Sequence, residues 1–418
     1  MCSQRAHFSR QLHIDECSDV VSTTQTERGS VMTTNHSVSR RFIASLCALS
    51  IAVAANAGPT IITFDAPGAG TGSGQGTGCF AGTDCSVLIN NFGVITGYYL
   101  DANNVFHGFV RSREGKFTTL DAPGADLTAN DFNGTVPNAI NDAGAITGAY
   151  YDVNNVGHGF LRSPEGGFTS FDAPGSAGYT NPVAINLESG IVGYYGDPNG
   201  QARAFLRRPD GSLTTWSGPG ACTSAPPGGF CGGTAAFSIN VFGTVAGGYD
   251  DANLASHVLI RTPAGTLQTF SDPNAGTGSG QGTGCPGCSR GLNVFGVIAS
   301  YYIDANYVTH GFVRSPWGQV TTFDPPGEGP YGIGCAADCP IGLNDLGAIT
   351  GIYLDANNVY RGFVRSPDGT FTTFDAPGAD LTPNDFNGTF PYGINDQGMI
   401  TGYYIDAKGV AHGFLRLP

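Results

Sequence analysis

Residues 341–374 read IGLNDLGAITGIYLDANNVYRGFVRSPDGTFTTF, and this stretch contains the pattern that decides the fold. Four short runs rich in Ile, Val, Thr, Tyr and Phe alternate with turn-forming residues, which is typical of antiparallel strands. The turns are Asn344 to Gly347, Asp355 to Asn358, and Ser366 to Gly369, where Pro367 fixes φ. The stretch therefore predicts a four-stranded antiparallel meander.

This unit recurs seven times along the chain. Its central phrase, Gly-x-Ile-Thr-Gly-Tyr-Tyr-x-Asp, repeats at spacings of 45 to 54 residues, with the second glycine or its equivalent at Gly97, Gly148, Gly193, Gly247, Ser300, Gly351 and Gly402. Each copy continues into a His-Gly-Phe phrase and then a Phe-Thr-Thr-Phe-Asp-Ala-Pro-Gly phrase. A repeat of this length is typical of propellers and solenoids. Gly and Pro interrupt the chain too often for a helical period.

The two ends of the repeat region complement each other. It begins with a lone fourth strand, Ile62 to Pro67, and it stops at His412 to Arg416 without one. We therefore expect residues 58–418 to be all-β, a seven-bladed β-propeller of four-stranded antiparallel blades, closed by the N-terminal strand. Paired β-sandwich strands and a β-helix are the alternative architectures.

The first 57 residues lack the repeat and are set aside. Residues 1–31 are interpreted as a non-native upstream extension without a fold. Residues 32–57 resemble a signal peptide: Arg40-Arg41, an apolar run from Phe42 to Ala54, and small residues before a cleavage site near Ala57. The apolar run is too short to span a membrane. The sequence thus predicts an extracytoplasmic protein, secreted or periplasmic, exported by the general or the twin-arginine route.

The formal net charge of −14 bears on partners. Phosphate binding requires concentrated Lys and Arg, so nucleic acid is excluded as a predicted partner. The acidic excess favours solubility and attraction of cations. We expect a monomer without a membrane span.

Residues 60–418 resemble the HAF-type extracellular repeat family of bacteria. The family is named for a His-Ala-Phe phrase, which corresponds to His107-Gly108-Phe109 here. Glycine replaces the family's alanine here, and two units depart further, with Arg203-Ala204-Phe205 and His257-Val258-Leu259. The resemblance implies a propeller-like fold and an extracytoplasmic location. It implies no established activity.

One histidine position recurs in the unit, with arginine in two copies. If the Ser-Pro-Asp-Gly turn makes a three-residue hairpin loop, the strand register sets each cation opposite an acid, at His107 and Asp121, His158 and Asp172, His310 and Asp324, Arg361 and Asp375, and His412 and Asp65. We expect these to be structural cross-strand pairs. Metal binding by one histidine is the alternative, but no second ligand type sits at suitable spacing.

Two further positions recur without exception. An arginine follows the histidine position by four residues, at Arg111, Arg162, Arg207, Arg261, Arg314, Arg365 and Arg416, and is interpreted as a scaffold device. An asparagine precedes the central phrase, at Asn90, Asn141, Asn186, Asn240, Asn293, Asn344 and Asn395. We expect these side chains to cap the first hairpin by Asx-type bonding.

Eight cysteines of the repeat region fall into close pairs in the crossover segments, at Cys79 and Cys85, Cys222 and Cys231, Cys285 and Cys288, and Cys335 and Cys339. An even count in an exported chain favours four disulfides over free thiols. The Cys-Pro-Gly-Cys at 285–288 could also be a redox or zinc motif, but the partner motif or helix start that such uses need is missing.

Two duplicated strings lie in the crossover segments. Residues 69–79 and 275–285 share a Gly-rich sequence that lacks the lysine and the helix of a phosphate-binding loop. Residues 125–135 and 379–389 share Ala-Asp-Leu-Thr-x-Asn-Asp-Phe-Asn-Gly-Thr, whose oxygens at Asp126, Asn130, Asp131 and Asn133 could hold calcium. Ordinary turn capping is favoured, because the spacing is not that of an EF-hand. No cofactor is predicted, apart from this calcium alternative.

The crossover segments and the second hairpin turns should emerge on one side of the repeat, where loops on a rigid scaffold commonly bind ligands. The candidate ligand-face residues are the acids that lead these turns, Asp101, Asp152, Asp197, Asp251, Asp304, Asp355 and Asp406. The preferred hypothesis is a non-catalytic binding module for glycan or protein at the cell surface or in the secreted fraction. The alternative is a propeller enzyme, a polysaccharide lyase or glycoside hydrolase. No catalytic residue is predicted, because Arg203, Asp250, Asp251 and His257 form no recognisable constellation.

Overall fold

The computed structural model describes residues 59–78, 87–223, 232–284, 291–333 and 341–418. These residues form an all-β structure, and none of them lies in a helix. In this part of the chain there is accordingly no helix with the length and apolar character needed to cross a membrane. The predicted signal peptide and upstream extension lie outside the described residues.

The strands fall into antiparallel sets of four, numbered here in chain order. Set 1 is β3 Val87–Ile89, β4 Ile95–Leu100, β5 Phe106–Arg111 and β6 Phe117–Leu120; set 2 is β7 Thr135–Ile140, β8 Ile146–Tyr151, β9 Gly157–Arg162 and β10 Phe168–Phe171; set 3 is β11 Thr180–Ile185, β12 Ile191–Gly196, β13 Ala202–Arg207 and β14 Leu213–Trp216. Set 4 is β15 Thr234–Ile239, β16 Val245–Asp250, β17 Ser256–Arg261 and β18 Leu267–Phe270; set 5 is β20 Gly291–Leu292, β21 Ile298–Ile303, β22 Thr309–Arg314 and β23 Val320–Phe323; set 6 is β24 Ile341–Leu343, β25 Ile349–Leu354, β26 Tyr360–Arg365 and β27 Phe371–Phe374. Set 7 is β28 Thr389–Ile394, β29 Ile400–Ile405, β30 Ala411–Arg416 and the first strand of the chain, β1 Ile61–Phe64. Two short strands lie between neighbouring sets. β2 Gly76–Thr77 pairs with β30 of set 7 and β4 of set 1. β19 Gly282–Thr283 pairs with β17 of set 4 and β21 of set 5.

The N-terminal strand completes the last set. β1 pairs antiparallel with β30, with Ile61 opposite Arg416 and Phe64 opposite Gly413. This is the pairing that the unmatched ends of the repeat predict. It removes the open edge that β30 would otherwise present to other chains.

Neighbouring sets are joined by the asparagines that recur in every unit of the repeat. Within each first hairpin, the asparagine Oδ1 accepts a hydrogen bond from the backbone N–H four residues later, which is the predicted Asx-type capping. Each Nδ2 donates to the backbone carbonyl of the asparagine in the next set, at 2.9–3.4 Å. The series runs from Asn90 through to Asn395, which donates back to Asn90.

The recurrent arginines also connect one set to the next. The guanidinium of Arg111 lies 5.0 Å from the ring centroid of Phe64 on β1, and Arg261 lies 4.9 Å from Trp216 on β14. Four more arginines stack in this way on the last aromatic residue of the preceding set. Set 1 ends in Leu120 instead, and Arg162 has no such ring beside it in the described structure. The predicted scaffold role therefore has a specific form, a cation–π contact between sets.

Each set contributes one large aromatic or aliphatic side chain of its third strand to the interior. Phe109, Phe160, Phe205, Phe312, Phe363 and Phe414 are almost fully buried, with Leu259 at the same position of set 4. The first strands of all the sets line a common central space of about 200 Å³, which includes Leu88, Val183, Phe237 and Tyr392. The sets are thus arranged with their first strands inward and their fourth strands outward.

Candidate ligand-binding face

The crossover segments pack against the Asp-led turns between second and third strands. Gly70 N–H donates to the Leu100 carbonyl at 2.9 Å, Asp126 N–H to Tyr151 at 2.8 Å, and Cys222 N–H to Asp250 at 2.8 Å. We call the surface formed by these turns and crossover segments the loop face. It places the predicted ligand-face residues and the crossover cysteine Cys222 on one side of the molecule, as expected from the strand order.

The aspartate that begins each turn between the second and third strands accepts hydrogen bonds from the backbone of that turn. Asp101 Oδ1 accepts hydrogen bonds from the backbone N–H groups of Asn103 and Val105, at 2.8 and 2.9 Å. The other six turns repeat this geometry. One carboxylate oxygen of each aspartate is therefore committed to its own turn. The role of these residues in ligand binding stays a prediction.

The second carboxylate oxygen approaches the recurrent cation. His107 Nδ1 lies 2.8 Å from Asp121 Oδ1, and its Nε2 lies 3.8 Å from Asp101 Oδ2, so the ring sits between two acids. The ring also stacks on Tyr99, with centroids 5.2 Å apart. The structure brings all five predicted pairs together, His107 with Asp121, His158 with Asp172, His310 with Asp324, Arg361 with Asp375, and His412 with Asp65.

The acid pair affects the titration of the histidine. The hydrogen bond that His107 Nδ1 donates to Asp121 raises the pKa of His107; burial opposes this effect, and the charges of Asp121 and Asp101 add to it. Protonated histidine is thus stabilised in the folded state. This agrees with a structural role for the pair of His107 with Asp121.

Set 3 departs from this arrangement. Arg203 replaces the recurrent histidine. Ser217 occupies the position after the fourth strand that is aspartate in five of the seven sets. Arg203 Nε donates to Asp197 Oδ2 at 2.8 Å, and its Nη1 lies 3.3 Å from Ser217 Oγ. In set 6, by contrast, Arg361 is held by two carboxylates, Asp355 at Nε and Asp375 at Nη1. The Arg203 side chain is 43% exposed, against 24% for Arg361.

Beside Arg203 the loop face contains a cleft of about 350 Å³. Polar side chains in its lining include Asn199, Gln201, Ser217 and Thr223, with Asp197 beside the Arg203 guanidinium, and small residues such as Ala202, Gly218 and Ala221 complete the walls. Burial alone would raise the pKa of Asp197, but the hydrogen bonds from Arg203, Gln201 and Asn199 outweigh it and hold the pKa below its usual value. The cleft therefore presents amide, hydroxyl and guanidinium groups beside an ionised acid, and its volume falls in the range of small-ligand sites.

Set 4, next along the chain, has a related change. Ser271 replaces the aspartate of the fourth strand, and His257 Nδ1 lies 2.7 Å from its Oγ. His257 Nε2 keeps its contact with Asp251 Oδ2, at 3.2 Å. Asp250 is buried and accepts a hydrogen bond from Ser256 at 2.8 Å. Arg203 and His257 thus each contact one aspartate and one serine, where the repeat supplies two acids.

One acid of the loop face is unusual in its titration. Burial raises the pKa of Glu328 to about 7, and the charge of Asp324 adds to this effect, while His310 opposes it. Its Oε2 is buried and has no hydrogen-bond partner in the described structure. Sequence reasoning missed Glu328, because it lies in a crossover segment outside the repeated phrases.

The duplicated string at 125–135 is folded around its own aspartate. Asp126 Oδ1 accepts from the Thr128 hydroxyl at 2.6 Å and from its backbone N–H, and Oδ2 accepts from Asn133 Nδ2 at 3.2 Å. The copy at 379–389 repeats these contacts around Asp380. Both oxygens of each acid are thus engaged within the loop. No group of three or more His, Cys, Asp or Glu in the described part of the chain is arranged to hold a metal, and the calcium alternative stays untested.

Each of the four predicted cysteine pairs has at least one member outside the described residues. Cys222 is buried and lines the cleft. Cys79, Cys85, Cys231, Cys285, Cys288, Cys335 and Cys339 lie outside the described residues. The four disulfides therefore stay a prediction.

Comparison with known proteins bears on the fold. No family model matches the chain, and no curated protein does. A solved structure of a streptogramin B lyase is 16% identical, with a TM-score of 0.52 over 86% of this chain and 98% of that one. A lectin from Burkholderia pseudomallei is 10% identical, with a TM-score of 0.48 over 79% and 94%. Aleuria aurantia lectin, described as a six-bladed β-propeller, is 11% identical, with a TM-score of 0.38 over 70% and 92%. The likeness to the lyase structure concerns the fold alone, an all-β architecture of four-stranded antiparallel sheets.

Proposed function

We propose that this protein is a non-catalytic carbohydrate-binding module whose ligand occupies the loop face. The observation that carries the proposal is the cleft beside Arg203, a space of about 350 Å³ whose lining includes amide and hydroxyl groups. Such groups match the hydroxyls of a sugar, because each can donate or accept hydrogen bonds in a fixed direction. Binding in such a cleft requires no catalytic group.

The proposal includes the architecture that holds the cleft. We propose a seven-bladed β-propeller, in which each strand set is one blade and β1 closes the ring. The asparagine series that returns from Asn395 to Asn90 supports it, and so does the antiparallel pairing of β1 with β30. Loops on such a scaffold are held in place by the blades beneath them.

We further propose an extracytoplasmic location, export by the signal peptide at 32–57, and membership of the HAF-type repeat family. The repeated phrases around His107 and the apolar run after Arg41 support these assignments. The four cysteine pairs are proposed to be disulfides of the crossover segments, in keeping with an oxidising compartment.

The test is a binding screen of purified residues 58–418 against a panel of neutral and acidic oligosaccharides. We expect at least one class to bind, and Asn199→Trp, which places a large ring at the cleft, to abolish that binding. Asn154→Trp is the matched control, because Asn154 occupies the same position in the turn of set 2, away from the cleft. No binding by any sugar, or equal loss in both variants, would contradict the proposal.

Glu328 favours a second candidate, a polysaccharide-cleaving enzyme. A carboxyl with a pKa of about 7 next to Asp324 and His310 could act as a general acid. In that case polysaccharides of the panel would be cleaved, and Glu328→Gln would abolish the cleavage. Binding without cleavage at any pH between 5 and 8 would leave the non-catalytic module as the better account.

A further inference from the structure

The exception in the repeat at Arg203 points to the chemical class of ligand. In set 6 the arginine at this position is held between two carboxylates, Asp355 at Nε and Asp375 at Nη1. In set 3 the first carboxylate is retained as Asp197, but a serine hydroxyl takes the place of the second. The guanidinium of Arg203 is therefore paired with one carboxylate, Asp197, and lacks the second carboxylate that Arg361 has.

The remaining donors of Arg203 face a space that can hold a ligand. Its Nη1 makes one long contact, 3.3 Å to Ser217 Oγ, and its Nη2 makes no hydrogen bond to any residue the structure describes. The side chain is nearly half exposed and lines the 350 Å³ cleft. Arginine in this situation is suited to a planar, two-oxygen acceptor, because its N–H groups form a rigid fork.

The charge balance at the site favours an anion. In sets 1, 2, 5, 6 and 7 the cation faces two carboxylates, so each site carries an excess of negative charge when the cation is protonated. At Arg203 one cation faces one carboxylate. Placing one more carboxylate there restores the arrangement around Arg361 and completes the hydrogen bonding of the guanidinium.

We infer that the cleft binds a carboxylate-bearing sugar, a uronic acid unit, whose carboxylate occupies the place that Asp375 fills beside Arg361. The sugar hydroxyls then meet the amide and hydroxyl groups of Asn199, Gln201 and Thr223. This inference rests on the proposed carbohydrate-binding function and narrows it to acidic glycans. It also accounts for the loss of the aspartate at Ser217, since that carboxylate would compete with the ligand.

The experiment uses oligogalacturonate and its methyl ester as probes, titrated into residues 58–418 at about 0.15 M salt, where the net negative charge of the protein is well screened. We expect the acid to bind at least about tenfold more tightly than the ester, because the ester loses a charge-assisted hydrogen bond. Ser217→Asp should weaken binding of the acid by a similar factor, since it supplies the missing carboxylate internally.

The repeat itself provides the control. Ser271→Asp makes the same change in set 4 beside His257, adds the same charge and should leave the affinity unchanged. Neither variant should unfold, because five other sets carry aspartate at this position. A further variant, Arg203→Gln, removes the guanidinium itself. It should abolish the preference for the acid over the ester, and circular dichroism should show that the fold is retained.

The outcomes separate the two levels of the proposal. If neutral sugars of the panel bind and oligogalacturonate does not, or if Ser217→Asp and Ser271→Asp have equal effects, the inference about Arg203 is wrong and the carbohydrate-binding function stands. If no sugar of either kind binds, both are wrong. Tighter binding of the acid that Ser217→Asp alone removes supports both.

Discussion

One position of the repeat, the second residue of the third strand, shows how a side chain is fixed by three neighbours at once. His107 contacts Asp121 across the strand and Asp101 in the adjacent turn, and it stacks on Tyr99. Cross-strand pairs of this kind contribute about 0.2–1 kcal/mol each. The cluster therefore ties the third strand to an Asp-led turn of the loop face.

The histidine pairing predicts a specific titration. The pKa of His107 is raised chiefly by its hydrogen bond to Asp121, so Asp121→Asn should lower that pKa towards the ordinary value of about 6.5. NMR titration of the ring protons measures it. Because the folded-state pKa is raised, the stabilisation by the pair is fully present below the unfolded-state pKa and is lost as the pH rises through the folded-state pKa. An unchanged pKa in the variant would show that Asp121 does not hold the proton.

Glu328 also has a raised pKa, but the protonated form that the fold favours is neutral, whereas protonated His107 is charged. Its pKa is raised to about 7 by burial, so the folded state keeps a proton that the unfolded chain releases above its ordinary pKa of about 4.5. The free energy of unfolding therefore decreases as the pH rises from about 4.5 to 7. Glu328→Gln should raise the thermal midpoint relative to wild type at about pH 8 and not at pH 4. The exposed Glu188→Gln is the control, and equal curves for both variants would contradict the assignment.

The contacts between strand sets are made by the recurrent arginines. Arg365 lies 5.2 Å from the ring centroid of Phe323 in the preceding set, and burial lowers its pKa. Arg365→Met keeps much of the apolar contact and loses the charge above the ring, so we expect a loss of about 0.5–2 kcal/mol in the free energy of unfolding. Urea denaturation measures it. Arg113→Met, at an exposed site of a turn, is the control, and a smaller effect at Arg365 than at Arg113 would refute the contact's role.

The strands, their register and the five cation–acid pairs could be predicted from the sequence, because they depend on spacing within one unit of the repeat. The tyrosine beneath each histidine was missed, although it is the direct cross-strand neighbour within the same unit, as Tyr99 is of His107. The asparagine Nδ2 bonds and the arginine stacking could not be predicted, because they join residues of different sets through packing. The cleft at Arg203 was missed as a site for the same reason. A signal for it was present, the replacement of aspartate by Ser217 in the unit that also carries Arg203.

At the scale of the whole molecule, the account depends on the strand sets forming one ring. The pairing of β1 with β30 and the asparagine bond from Asn395 to Asn90 both join the beginning of the repeat region to its end, across more than 300 residues of chain. In the proposed closed ring each set would be held on both sides, which would keep the walls of the cleft in place. An open row of sets would leave β30 as an exposed edge.

The most direct test of this closure is removal of the first strand and its return as a peptide. A chain of residues 68–418 should unfold at a markedly lower temperature than residues 58–418, because β30 loses its pairing with β1 and keeps only its pairings with β29 and β2. A synthetic peptide of residues 59–67 should bind to the shortened chain by strand addition and restore the thermal midpoint, whereas the same peptide with Phe64→Asp should not. Equal stability of the two chains, with no effect of the peptide, would contradict the ring and the ligand-binding face that it supports.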